Sequence, residues 1–121
     1  MKLKRIEEEF CVCQLRDFTE INLEADYVFL GKTDEEISLV CDSKNIPKNP
    51  IKVESGFKML KIEGILDFSL IGILSKISTI LASIKIGIFV VSTYNTDYIL
   101  VKKENLEKAV EALKKENYEI V

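Results

Sequence analysis

Leu70, Ile73, Leu74, Ile77, Ile80, Leu81 and Ile84 recur three and four residues apart, which predicts an amphipathic helix with one buried stripe. Ahead of it, Phe57-Lys58-Met59-Leu60-Lys61-Ile62 alternates well enough for a strand ending at Gly64. The helix should start near Asp67 or Ser69, whose side chains can accept hydrogen bonds from its first turn. It should stop at Gly87, a residue free to take the left-handed conformation. Ile88-Phe89-Val90-Val91-Ser92 and Tyr98-Ile99-Leu100-Val101 then predict a hairpin across Tyr94-Asn95-Thr96-Asp97. Leu106, Ala109, Val110 and Leu113 mark the buried face of a second helix. Its outer face carries Glu104 with Lys108 and Glu111 with Lys115 at i,i+4, the pattern of a solvated face. Asn117 can end that helix, and Tyr118-Glu119-Ile120-Val121 suffices for a last short strand.

The first half is less regular. Phe10-Cys11-Val12-Cys13-Gln14-Leu15 reads as a strand, residues 16–25 as at best an irregular turn of helix. Tyr27-Val28-Phe29-Leu30 and Glu36-Ile37-Ser38-Leu39-Val40-Cys41 form a hairpin over Thr33-Asp34-Glu35. The segment Ser43-Lys44-Asn45-Ile46-Pro47-Lys48-Asn49-Pro50 holds both prolines, which remove backbone donors and bar helix before them, so it reads as a linker. A domain boundary therefore falls near residue 50.

The two hairpins repeat each other. Residues 30–40 match residues 91–101 without a gap at an offset of 61 (97 − 36), which makes Glu36 and Asp97 equivalent. The preceding strands lie only 47 positions apart (57 − 10), so the first copy lacks about 14 residues, the length of one helix. Residues 1–50 are thus a shortened copy, with a linker, of residues 51–121.

Composition then removes function classes. With 121 residues, 47% apolar and 31% charged, the chain can bury a core for one domain or two very small ones. A net charge of −3 leaves no basic field for nucleic acid or an anionic membrane surface. The charged start, Met1 to Glu9, lacks the apolar stretch of a signal peptide, and Lys76 and Lys85 interrupt the longest apolar segment, so the expected location is the cytoplasm. Cys11, Cys13 and Cys41 cannot all pair, and with no histidine to complete a metal site they read as small core side chains. No metal and no cofactor is expected, and without histidine, an activated nucleophile or a phosphate loop, neither is catalysis.

The order βαββαβ is the ferredoxin-like split motif, an α+β fold with antiparallel strands and helices on one face, which hosts many unrelated functions. Its first strand-to-helix turn discriminates among them. A phosphate-handling hydrolase would need an arginine there, but Arg5 and Arg16 lie elsewhere; a metallochaperone would need a cysteine pair. An RNA binder would show aromatics on its central strands, and Lys58-Met59-Leu60-Lys61-Ile62 has none.

What remains is strand, Gly64, Asp67-Phe68-Ser69, then Gly72, followed by the hairpin Ser92-Thr93-Tyr94-Asn95-Thr96-Asp97-Tyr98-Ile99-Leu100-Val101. This pattern resembles the ACT domain, the small regulatory module that binds amino acids, and in particular aspartate kinase regulatory regions and the cytosolic arginine sensors of animals. Glu36-Ile37-Ser38-Leu39-Val40-Cys41 and Leu60-Lys61-Ile62-Glu63-Gly64-Ile65-Leu66-Asp67-Phe68-Ser69 are similar to phrases of small stand-alone bacterial proteins made of two such units. One departure is that the Asp-x-Pro-Gly of many ACT turns is replaced by Asp67-Phe68-Ser69-Leu70-Ile71-Gly72. The resemblance implies a non-catalytic sensor or regulatory subunit, a homodimer, with a free amino acid held between ACT units. It points to Asp67, Phe68, Ser69 and Gly72 in the turn, Thr96 and Asp97 in the hairpin, and Glu36 and Ser38 in the shortened copy. Backbone N–H groups from Ser69 to Gly72 would receive the carboxylate, and Asp97 or Glu36 the ammonium. Each position has a plainer use: Asp67 and Ser69 as helix caps, Phe68 as a core plug, Asp97 as a turn former. A protein-interaction module without a small ligand is the alternative from another class.

Overall fold

The charged N-terminus does not stop a strand: β1 runs over Lys2–Leu15, followed by β2 (Val28–Lys32), β3 (Ile37–Asp42), a 3-10 turn at Ser43–Asn45 and β4 (Pro50–Ile62). Then come α1 (Ile73–Ser83), β5 (Phe89–Ser92), β6 (Asp97–Lys102), a 3-10 turn at Lys103–Asn105, α2 (Leu106–Lys115) and β7 (Glu119–Ile120). The computed structural model describes residues 1–64 and 71–121. Contacts divide the chain into unit 1, Met1–Glu7 with Lys58–Val121, and unit 2, Glu8–Phe57.

Two strands are longer than their sequence pattern suggests. In β1, Leu3 and Ile6 are buried three residues apart, so no alternation announces a strand before Phe10. Pairing decides instead: Lys2 and Leu3 lie opposite Glu119 and Ile120 in parallel, and the Glu63 N–H donates to the Lys2 carbonyl at 2.9 Å. At the start of β4, Ile51 to Ser55 are all exposed, which hides the period of two. Pro50 stands at the strand's first position, where a missing N–H costs least, so the segment that reads as linker already becomes strand at residue 50.

Unit 1 has the α+β layering of the split motif. Leu60 and Ile62 of β4, Ile99 and Val101 of β6, Ile77 and Leu81 of α1, and Leu106, Ala109, Val110 and Leu113 of α2 form one buried cluster with Leu3 and Ile86. Both helices therefore cover the same face of their strands, and each large aliphatic side chain so enclosed contributes about 1.5–3 kcal/mol.

The helix ends follow local backbone chemistry. Beyond α1, Ile86 donates to the Leu81 carbonyl at 3.0 Å and Lys85 to Ala82 at 2.9 Å, the paired bonds of a Schellman motif. The left-handed residue is Lys85, at φ 62°, so the helix stops two residues before the expected Gly87. After α2 the same pair runs from Tyr118 to Leu113 and from Asn117 to Lys114, with Asn117 at φ 69°, so Asn117 does end that helix.

Unit 2 holds the second half of β1, β2, β3, the first 3-10 turn and the start of β4; β3 pairs antiparallel with both β1 and β2, Cys41 lying opposite Cys11 on one side and Val28 on the other. No α-helix occurs in it. Its core is Cys11, Cys13, Leu15, Leu39 and Cys41, closed over by Ile21, Val28, Ile37 and Ile46. All three cysteines are free thiols. Since β1 ends at Leu15 and β4 at Ile62, Cys13 stands where unit 1 has Leu60. Small side chains suit a core covered by a connecting loop instead of helices.

Candidate functional site

The hairpins of the two units match in strand register and turn bonds, with an offset of 60 (97 − 37) and not 61. Strands β3 and β6 begin at Ile37 and Asp97, and the 3-10 turns begin at Ser43 and Lys103. In both hairpins a threonine opens the turn: Thr33 N–H donates to the Glu36 carbonyl at 2.9 Å, Thr93 N–H to the Thr96 carbonyl at 2.8 Å. This register aligns buried Leu39, Val40 and Cys41 with buried Ile99, Leu100 and Val101, whereas a slip of one residue would exchange faces. Glu36 is accordingly the counterpart of Thr96, and Asp97 that of Ile37; the equivalence of the two carboxylates is lost.

Thr96 is buried, 3% exposed, and its hydroxyl donates to the Ile62 carbonyl at 2.7 Å. The Thr93 hydroxyl accepts from the Thr96 N–H at 3.4 Å and donates to its carbonyl at 3.0 Å. The Thr96 hydroxyl therefore spends its proton on a structural tie. The tie fixes the hairpin against the end of β4, where the chain turns toward α1. Asp97, opposite Ser92 in the strand register, is partly exposed at the mouth of that hairpin.

Gly64 has φ 91° and Gly72 φ 83°, so left-handed glycines stand near both ends of the connection from β4 to α1. Asp67, Phe68 and Ser69 lie outside the described residues. Gly72 is the N-cap of α1 and not a residue of its first turn. It supplies no capping side chain, and the first turn holds no acidic residue; among the described residues the carboxylate nearest to hand is Glu116, which lines the cleft in front of the helix start. Beside it opens a cleft of about 330 Å³ lined by Gly72, Ile73, Lys76, Asn117 and Tyr118 among others. Lys76 carries the one charge of α1, and neither it nor Asn117 or Tyr118 is marked as a site residue by the sequence pattern. The only hint is that an otherwise uncharged helix keeps one lysine in its first turn.

In unit 2 the candidates are turned on each other: Ser38 Oγ donates to Glu36 Oε1 at 2.8 Å. Among the described residues no cluster of three or more His, Cys, Asp or Glu side chains could hold a metal ion. Nor is any described helix long and apolar enough to cross a membrane. Burial, with the neighbouring Cys13, pushes the Cys41 thiol up to about 12, which disfavours its thiolate.

Comparison with known proteins places this geometry. A protein from Agobacterium tumefaciens, solved by X-ray crystallography, is 29% identical, with a TM-score of 0.88 over 99% of this chain and 91% of that one. The aspartate kinase of Clostridium acetobutylicum, described as an allosteric enzyme, is 14% identical with a TM-score of 0.63 over 88% of this chain and 32% of the kinase. A putative C-terminal regulatory domain of aspartate kinase from Porphyromonas gingivalis is 16% identical with a TM-score of 0.55, covering 93% and 92%. The two kinase likenesses establish shared fold. No curated protein matches in sequence. The sequence pattern of the ACT domain matches residues 52–115, more than half of the chain, and the chain therefore belongs to the ACT domain family of regulatory, ligand-binding modules.

Proposed function

We propose that this protein is a non-catalytic, cytoplasmic regulatory subunit that binds a free amino acid at the strand-to-helix turn of unit 1 and acts as a homodimer. The observation that carries the reading is the start of α1, with no side-chain cap and no acidic residue in its first turn, beside a cleft that holds a cation, Lys76, and a carboxylate, Glu116. Free N–H groups at a positive helix end are a seat for a carboxylate. The ammonium needs a negative partner, and Asp97 offers one on the hairpin that Thr96 ties to the end of β4. Membership of the ACT family supports the regulatory role.

The test is a melting screen with each of the twenty protein amino acids at millimolar concentration. A ligand that binds only the folded form raises the melting temperature progressively with its concentration. Asp97→Asn should abolish most of that rise while leaving the unliganded melting temperature unchanged. Absence of any shift would favour a protein-docking module instead. Sedimentation of the free and liganded protein tests the homodimer.

A further inference from the structure

We propose that the chain holds a single amino acid, in unit 1, and that unit 2 keeps the hairpin of an effector site without the means to hold an effector of its own. This rests on the amino-acid-binding reading above. In unit 1 the strand β4 leads to a helix start and is tied to a hairpin. In unit 2 the corresponding strand, β1, ends at Leu15 and reaches β2 at Val28 with no α-helix between. The hairpins match at an offset of 60 while the strand ends match at 47 (62 − 15), so 13 residues (60 − 47) are missing, and they are those in which α1 would stand.

What replaces the helix start is hostile to a carboxylate. Residues 16–27 carry Asp17, Glu20, Glu24 and Asp26 against the single cation Arg16. Two N–H groups of this connection are already spent: the Asp17 carboxylate accepts from the Thr19 N–H at 3.0 Å and its hydroxyl at 2.7 Å, and the Asn22 side-chain oxygen accepts from the Glu24 N–H at 3.1 Å. Asn22 in turn donates to Asn45 at 2.9 Å, pinning the loop to the 3-10 turn after β3. On the hairpin, Glu36 is held by Ser38 and occupies the place of the buried Thr96, not that of Asp97. Unit 2 thus has an acidic connection in place of a helix start, and a carboxylate already engaged by Ser38 one position before the place of Asp97.

Calorimetric titration of the full chain, using whichever protein amino acid gives the largest rise in the melting screen, decides it. One molecule bound per chain is the expected result, and two per chain would overturn the proposal. Asp97→Asn should weaken binding by about tenfold or more, as loss of a charge-assisted bond does. Glu36→Gln and Ser38→Ala should each leave affinity within about twofold, and a tenfold loss from either would place unit 2 in the binding site and overturn the inference. If no amino acid binds at all, the amino-acid-binding reading itself falls, and this inference with it.

Discussion

The Thr96 hydroxyl, buried at the tip of one hairpin, donates to the main-chain carbonyl of Ile62 at the end of a neighbouring strand, 2.7 Å away. That bond holds the β5–β6 turn beside the point where the chain leaves β4. It couples two elements 34 residues apart through a single proton. Thr96→Val keeps shape and volume but leaves the Ile62 carbonyl without its partner, and should destabilise the protein by about 1–2 kcal/mol. Thr96→Ser, which restores the donor, should recover most of this loss. Chemical denaturation of the three proteins measures both, and a valine variant as stable as the parent would show the bond to be dispensable.

At the end of α1, a lysine holds a conformation that glycine adopts freely. Lys85→Gly removes the steric cost of φ 62° and should stabilise the protein by about 1 kcal/mol, visible as a higher denaturation midpoint. The opposite exchange is expected at Gly72. Among the described residues no atom stands within 4 Å of an added Cβ, so Gly72→Ala meets backbone strain at φ 83° and should cost about 1–2 kcal/mol. Equal stability of either variant with the parent would contradict this account of the helix ends.

The thiols of unit 2 set an alkaline limit. Burial raises the Cys13 thiol, and it pushes Cys41 up to about 12, both from a usual 9.0. A group with a folded value above its unfolded value favours the fold fully below the unfolded value and loses that effect as pH rises through the folded one. Stability should therefore fall from about pH 9 toward 12, and Cys41→Ser should flatten the slope. A thiol-specific reagent should label the folded protein only at the rate of unfolding; immediate labelling of all three cysteines at neutral pH would refute their enclosure.

Arg5 of β1 grips Glu107 of α2 through both carboxylate oxygens, at 2.9 and 3.2 Å. The pair is exposed, and its Arg5 bond holds the Glu107 carboxyl below its usual 4.5. In a carbon-detected titration Glu107 should be the glutamate that moves upward when Arg5 becomes Ala. Its contribution is present above the unfolded value and fades as pH falls through the folded one. An unmoved Glu107 would mean that the pair does not persist in solution.

Periodicity was enough for the elements that face one core. Ile77 and Leu81, and Leu106, Ala109, Val110 and Leu113, sit where three-and-four spacing puts them because a helix buries a single stripe. Asn117 announced the end of α2 because its short polar side chain tolerates the left-handed region. Lys85 could not be read in this way, since the lysine yields there to a chain reversal fixed by the packing of Ile86. The likeness of the two hairpins was visible too, but its register was not: both an offset of 60 and one of 61 align apolar residues, and strand pairing, burial and the hydrogen bonds from Thr33 and Thr93 choose the former.

What the sequence determined by itself is therefore the two helical stripes and the strands around them within the residues that match the ACT domain, 52–115, because stripes and strands rest on short-range spacing. Tertiary structure alone decided that Met1–Glu7 belongs with the C-terminal unit, that Thr96 is a tie, and that Asp97 has no acidic twin in Glu36. Those outcomes depend on which backbone groups pair across dozens of residues, and pairing partners leave no period in the chain that makes them.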